Sequence, residues 1–274
     1  MATATGQAPT PALYDQIATV YDQTRRLPAW LPDQLAEVAL NLIGRGQPRI
    51  LEVGVGTGRV ARGFLRPGLV SEFVGLDVSA RMLAELDRKF GSAVTPVLGD
   101  ASALPFDDAT FDAVLSCHVL QVVPDLPGSL AEIRRVLRPD GVYLHCTDEL
   151  APHQKELDRT WQRLLAEEDP GYRPAERYDM RRDDVAQLWT AAAGPVDTVE
   201  VATWQTNDRI CELLAAYASK AYPSCLRVPE AAFRRAMERL HRHCLAIHAN
   251  LDQLLCSTSR MEIVAARAHT TGQG

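Results

Sequence analysis

One stretch limits what this chain can fold into more than any other. From Arg49 to Arg59 it reads RILEVGVGTGR: an apolar burst, an acid, then three glycines at alternate positions. Arg49, Ile50, Leu51 and Val53 have the pattern of a short buried strand, preceded by the turn-forming Gly44-Arg45-Gly46-Gln47-Pro48 and closed by Gly54, Gly56 and Gly58. Glycines after a strand open backbone conformations closed to other residues and let a ligand approach, so a strand, a ligand-cradling turn and a helix are expected here. The spacing is GxGxG, with Glu52 two residues before the first glycine, and not the GxGxxG of dinucleotide-binding proteins.

Further strands follow at regular intervals. Phe73-Val74-Gly75-Leu76 ends in Asp77, at the distance where an acid at the tip of a second strand can chelate a ribose diol. Val94-Thr95-Pro96-Val97-Leu98 ends in Gly99-Asp100-Ala101, and Phe111 to Ser116 runs into Cys117-His118. Leu130 to Arg138 reads as an amphipathic helix stopped by Pro139-Asp140-Gly141, and Val142 to Cys146 as the next strand.

The ordered set EVGVGTG, GLDVS, LGDASALPF, FDAVLSCHVLQVV and LAEIRRVLRPDGVYL resembles the class I S-adenosylmethionine-dependent methyltransferases of the ubiquinone/menaquinone-methyltransferase-like branch, over Tyr14 to Cys146. The resemblance implies a Rossmann-like, doubly wound α/β sheet of seven strands in the order 3-2-1-4-5-7-6, the last antiparallel. Pro96 fits that order, because proline cannot donate to a ladder and the third strand is an edge. The resemblance also implies S-adenosyl-L-methionine as cofactor and S-adenosyl-L-homocysteine as product. The Gly54, Val55, Gly56, Gly58 turn would hold the methionine end with Glu52 near its amino group, Asp77 the ribose, and Asp100 with Ala101 the adenine. Tyr21, Val78, Met82 and Ser116 complete the implied cofactor contacts. The structural alternative for Asp77 and Asp100 is helix capping, which Ser79 can supply in place of Asp77.

At 274 residues and 46% hydrophobic composition the chain can bury a full core. A net charge of −6 gives no overall attraction for nucleic acid or anionic membranes, so neither is an expected partner. Residues 1–11 have neither a basic segment nor an apolar core and read as a disordered tail; 12–274 read as a single domain. None of the six cysteines forms a CxxC pair, which points to reduced thiols and a cytoplasmic setting.

Tyr14, Ile17, Ala18 and Tyr21, then Leu31, Leu35, Val38 and Leu42, fall at helical spacing, giving two N-terminal helices within about 12–45. They either pack on the sheet or form a lid that excludes water from the methyl group. Beyond Leu150 a helix around Trp161 leads to a loop with Tyr172, Arg173, Arg177 and Tyr178, a helix from Asp183 to Ala193 and a strand from Val196 to Trp204. Helices over Asn207–Ala218 and Pro229–Leu255 come before a last strand, Arg260–Ala266. The long helix carries a narrow apolar stripe that suits a cap over the sheet or a coiled-coil dimer, so monomer and homodimer both stay open. The cap, about 206–256, would sit between the last two strands and select a small-molecule acceptor.

Direct displacement at a sulfonium needs alignment and dryness, and a base only for a protonated acceptor. The strand ends pick out His118 after the fourth strand and Asp148 and Glu149 after the fifth; His118 and Glu149, which opens a helix, are the catalytic candidates, the alternatives being packing and helix-dipole complementation. His241, Cys244 and His248 share a helix face but read as a half-buried flank, so no metal is expected. Arg177, Arg181 and Arg182 suit an anionic group on the acceptor, whereas Arg234, Arg235, Arg239 and Arg242 read as a solvated face. The function expected is methyl transfer to oxygen, nitrogen or carbon of a small molecule; a non-catalytic S-adenosylmethionine sensor is the alternative.

Overall fold

A computed structural model describes residues 11–25, 27–149, 151–173, 182–248 and 250–268. Its helices are α1 (Pro11–Ile17), α2 (Tyr21–Thr24), α3 (Leu31–Ile43), α4 (Ala80–Phe90), α5 (Leu126–Val136), α6 (Pro152–Glu168), α7 (Arg182–Ala193), α8 (Ile210–Ala218) and α9 (Glu230–Ile247). The strands are β1 (Arg49–Val53), β2 (Glu72–Asp77), β3 (Thr95–Leu98), β4 (Phe111–Cys117), β5 (Leu137–Glu149), β6 (Val196–Arg209) and β7 (Leu254–Arg267). They form one sheet in the order β3-β2-β1-β4-β5-β7-β6. Strands β1 to β5 pair in parallel, and β7 runs antiparallel to both its neighbours. Pro96 lies on the edge strand β3, as expected.

Successive side chains of the central strands serve opposite faces. Ile50 faces a core with Leu35, Ala39, Phe64 and Leu86, and Leu51 one with Leu130, Ile133 and Trp189. Burying each such side chain contributes about 1.5–3 kcal/mol, which fixes the register of β1 and therefore the position of the glycine turn at its end.

The helix expected after that turn is replaced by a single 3₁₀ turn, Ala61–Phe64. Pro67-Gly68 leaves little chain for a helix, and the turn is pressed against the start of α3: a Cβ on Gly63 would come within 1.9 Å of the Pro32 carbonyl oxygen. The first N-terminal helix breaks at Ala18 to Val20, so that Tyr21 opens α2. Strand β5 starts directly after α5 and absorbs Pro139 to Gly141 in a bulge, with Phe111 opposite Leu137 and Ala113 opposite Val142. It continues to Glu149, which therefore ends a strand; α6 begins only at Pro152.

Asn207 belongs to β6, α9 stops at Ile247, and Leu254 opens β7. Pairing from Thr206–Ser257 to Arg209–Leu254 takes these residues out of their helical stripes, because cross-strand partners override local period. Strand β5 accompanies β7 only as far as Glu149–Arg260, so beyond that point β6 and β7 continue as a two-stranded ribbon. The segment containing α8 and α9 leaves from the end of this ribbon.

That segment shares a separate core with α6. Trp161 is fully buried there, its Nε1 donating to Ser224 Oγ at 3.1 Å and its ring 5.3 and 5.7 Å from Tyr217 and Phe233. Arg235 bonds Glu168 at 2.6 Å, and Arg239 reaches Glu168 at 2.8 Å and also pairs with Glu167. These two arginines therefore bind α6 and are not merely solvated. Arg177, Tyr178 and Arg181 lie outside the described residues.

Candidate active site

The carboxyl ends of β1, β2, β4 and β5 open into a cavity of about 1050 Å³, roofed by α1, α2, α6 and α8. Gly54, Gly56 and Gly58 all take left-handed φ, +71°, +54° and +81°. The N–H groups of Gly54 and Val55 both donate to the Leu76 carbonyl, at 2.8 and 3.0 Å, which ties the turn to β2. Gly56 N–H donates to Asp77 Oδ2 at 2.8 Å and Ser79 N–H to Oδ1 at 2.9 Å. Burial pushes the Asp77 carboxyl up while these donors oppose the shift. A Cβ on Gly54 would strike Val119 at 2.4 Å and one on Gly58 would strike Leu86 at 2.5 Å, whereas one on Gly56 meets nothing within 4 Å. Gly56 is thus the place where bare backbone faces the cavity.

Glu52 lies behind this turn, buried, and its Oε2 has no hydrogen-bond partner among the described residues. Burial, with Asp77 adding and Arg59 opposing, raises its carboxyl well above the usual range. An orphaned buried acceptor is costly unless a donor arrives. Asp100 Oδ1 accepts from Ser102 N–H at 2.8 Å and from its hydroxyl at 2.7 Å, which sets the Asp100-Ala101 corner in the cavity wall.

Two acids that sequence reasoning missed fasten the N-terminal helices over the cradle. Ser79 caps α4 by accepting from Met82 N–H at 3.1 Å and donates its hydroxyl to Asp15 at 2.6 Å. Asp22 accepts from the Thr57 hydroxyl and pairs with Lys89. The signal was the triplet Tyr-Asp-Gln, present at Tyr14 and again at Tyr21.

Tyr21, Gly54, Gly56, Asp77, Val78, Met82, Asp100, Ala101, His118 and Glu149 all line the cavity; Glu52, Val55, Gly58 and Ser116 do not. Val55 packs against Gly75. The Ser116 side chain is fully buried and bonds Tyr143 Oη at 2.7 Å and His145 Nδ1 at 3.0 Å, which leaves only its backbone for the cavity side.

His118 sits at φ +55° where β4 ends, with Nε2 paired to Asp148. Burial disfavours the charged ring, but Asp148 and Cys117 outweigh it and raise the imidazole well above its usual value. Asp148 is likewise opposed by burial, yet the His118 charge and hydrogen bond hold it down at about 2. Each partner thus favours the charged form of the other, imidazolium beside carboxylate. Glu149 lies at the exposed rim, bonded to Lys155 at 2.6 Å with Arg260 at 3.5 Å. Cys244 is buried in the core around Trp161, and among the described residues no three His, Cys, Asp or Glu group as a metal site.

Residues 51–145 match the methyltransferase domain family. The chain carries a class I methyltransferase domain. It is 34% identical over 136 residues to a malonyl-(acyl-carrier protein) O-methyltransferase of Halorhodospira halophila, covering 49% of this chain and 46% of the relative. It is 33% identical over 143 residues to the ubiquinone/menaquinone biosynthesis C-methyltransferase UbiE of Desulfotalea psychrophila, covering 51% of this chain and 58% of the relative. The chain spans about half the length of the curated relatives it matches. Among solved structures, the (4+2)-cyclase SpnF superposes with a TM-score of 0.57 at 18% identity, covering 95% of this chain and 97% of that one. At that identity the likeness concerns the fold.

Proposed function

We propose that this protein transfers the methyl group of S-adenosylmethionine to a small molecule bound beneath its helical roof. The observation that carries the reading is the cradle: a glycine turn latched to Asp77, open at Gly56, with the unpartnered Glu52 Oε2 behind it. The residues fit the cofactor. Each Asp77 oxygen keeps a lone pair beyond its backbone contact for the ribose hydroxyls. Asp100 and Ala101 suit the adenine, Glu52 and the Gly56 backbone the methionine end, and Tyr21, Val78 and Met82 the walls. When bound, the cofactor would supply a methyl group on a sulfonium, an electrophile that needs no covalent catalyst.

The chain's own contribution is placement and dryness. Asp15 and Asp22 hold α1 and α2 closed over the cradle, so we read the helices within about 12–45 as a lid. We read the segment of about 206–256, reinforced by α6, as the cap that selects the acceptor within one domain, 12–274. His118 and Asp148 form a fixed ion pair at the cavity wall. An acceptor that must lose a proton gives it to another carboxylate or to solvent. A cavity of about 1050 Å³ lies at the upper end for small-molecule sites, which suits two ligands side by side. No described helix is long and apolar enough to cross a membrane, and we place the protein in the cytoplasm.

The test is incubation with methyl-labelled S-adenosylmethionine and a cell extract, followed by separation into small-molecule, RNA and protein fractions. Label in a metabolite supports the proposal and identifies the acceptor. Label confined to RNA or protein overturns the small-molecule reading, and absence of S-adenosylmethionine binding overturns the whole.

A further inference from the structure

Among the described residues, three cationic side chains line the cavity: Arg25, Arg59 and His118. Two of them are engaged. Arg25 lies on the Tyr21 and Tyr222 rings, 4.2 and 5.5 Å from their centres, and donates to the Ala221 carbonyl at 3.5 Å. His118 pairs with Asp148. Arg59 is half-buried, yet no hydrogen bond or ion pair joins its guanidinium to any described residue. A guanidinium carries five N–H donors, and donors taken out of water without an acceptor are costly.

Arg59 directly follows Gly58, the last glycine of the cradle turn. Burial raises the Glu52 carboxyl and Asp77 adds to the rise, while the Arg59 charge opposes it. The same charge helps His118 hold Asp148 down against burial. Arg59 therefore lies within electrostatic reach of Glu52 and Asp148 but is bonded to neither. Asp148 has His118, whereas Glu52 Oε2 has no partner among the described residues. An open acceptor and an open donor thus stand near each other at the end of β1.

An α-amino acid carries its ammonium and its carboxylate on one carbon, so it needs an acceptor and a donor close together. The planar guanidinium fork matches a carboxylate with two parallel hydrogen bonds. Resting on the methyltransferase reading, we propose that Arg59 grips the α-carboxylate at the methionine end of S-adenosylmethionine, while Glu52 takes the ammonium. The two residues then select the intact amino acid. A ligand stripped of its carboxylate brings only an ammonium to the Arg59 cation, like charge against like. The position of Arg59, on the glycine turn itself, favours the cofactor over an acidic group on the acceptor.

The experiment titrates three ligands calorimetrically into the full chain: S-adenosylhomocysteine, its decarboxylated analogue S-adenosyl-3-thiopropylamine, and methylthioadenosine, which lacks the whole amino acid. In the wild type S-adenosylhomocysteine should bind about ten- to hundredfold tighter than the decarboxylated analogue. Arg59→Met should remove that advantage by weakening S-adenosylhomocysteine alone, with the other two ligands unchanged within about twofold. Arg59→Lys, which keeps the charge without the fork, should restore part of the advantage. Methylthioadenosine is the control for folding. If S-adenosylhomocysteine does not bind the wild type, both this proposal and the methyltransferase reading fall. If it binds without preference over the decarboxylated analogue, if the preference survives in Arg59→Met, or if that variant weakens all three ligands alike, the Arg59 proposal alone is overturned.

Discussion

Replacing Asp77 by alanine probes the cradle at its latch. The carboxylate accepts from two backbone N–H groups, at 2.8 Å from Gly56 and 2.9 Å from Ser79. Hydrogen bonds to a charged group contribute about 1.5–3 kcal/mol each, but burial already disfavours this carboxylate, so its removal relieves part of that cost. The net loss of stability should be about 1–2 kcal/mol, a fall in Tm of about 2–8 °C. Binding should suffer more. The ribose would lose a charged acceptor and the Gly56 turn its anchor, together about 1.4–2.8 kcal/mol, or a ten- to hundredfold weaker S-adenosylmethionine complex. Calorimetric titration gives the affinity, and a thermal melt of the same sample gives the stability. Asp77→Asn keeps the volume but turns an amide N–H₂ towards one of the two donors, and should fall between wild type and alanine. Unchanged affinity in both variants, with the melt intact, would refute the assignment of Asp77 to the cofactor.

The remaining predictions separate cradle, pair and cap. Gly56→Ala, at positive φ with open space beyond, should cost only about 1 kcal/mol of stability yet block S-adenosylmethionine, while Gly63→Ala, which drives a Cβ into the Pro32 carbonyl, should cost about 2–3 kcal/mol by thermal melt. For His118 the folded pKa is raised, so its contribution is fully present below the unfolded value near 6.5 and is lost as pH rises through the folded value. Asp148 is depressed to about 2, so its contribution is present above its unfolded value near 3.9 and is lost as pH falls through about 2. The stability gap between wild type and His118→Gln in urea melts should therefore be widest at about pH 4–6.5 and close towards alkaline pH; a gap that ignores pH contradicts the ion pair. Ser224→Ala leaves Trp161 Nε1 without its acceptor and should cost about 1–3 kcal/mol of stability, with S-adenosylmethionine affinity unchanged in the folded protein.

The parallel half of the sheet was legible because each buried strand is a continuous apolar run and Pro96 marks the edge. The positions of Asp77 and the glycines at strand ends could be read for the same reason, since the core fixes the register of β1 and β2. The boundary between α9 and β7 was hidden, because Leu251 and Leu254 suit a helical stripe as well as a strand. What decides is their long-range pairing near Asn207 to Arg209. The state of His118 was hidden too. Its partner Asp148 lies far along the sequence and comes near only through the β4–β5 register, in which Cys117 faces Cys146.

Arg209 and Leu254 are paired across the ribbon, so the segment carrying α8 and α9 leaves the sheet and returns to it at neighbouring positions. Such an excursion can be lengthened, shortened or exchanged without disturbing the register of the strands that carry the cradle. The segment is in that sense a replaceable cassette on a stem of two paired strands. It meets the face of α6 at Trp161, Glu167 and Glu168, and the N-terminal helices where Leu226 packs with Ile17 and Ala18 and Arg25 bonds the Ala221 carbonyl, so a transplant from another chain should carry its own α6 and a matching N-terminal face.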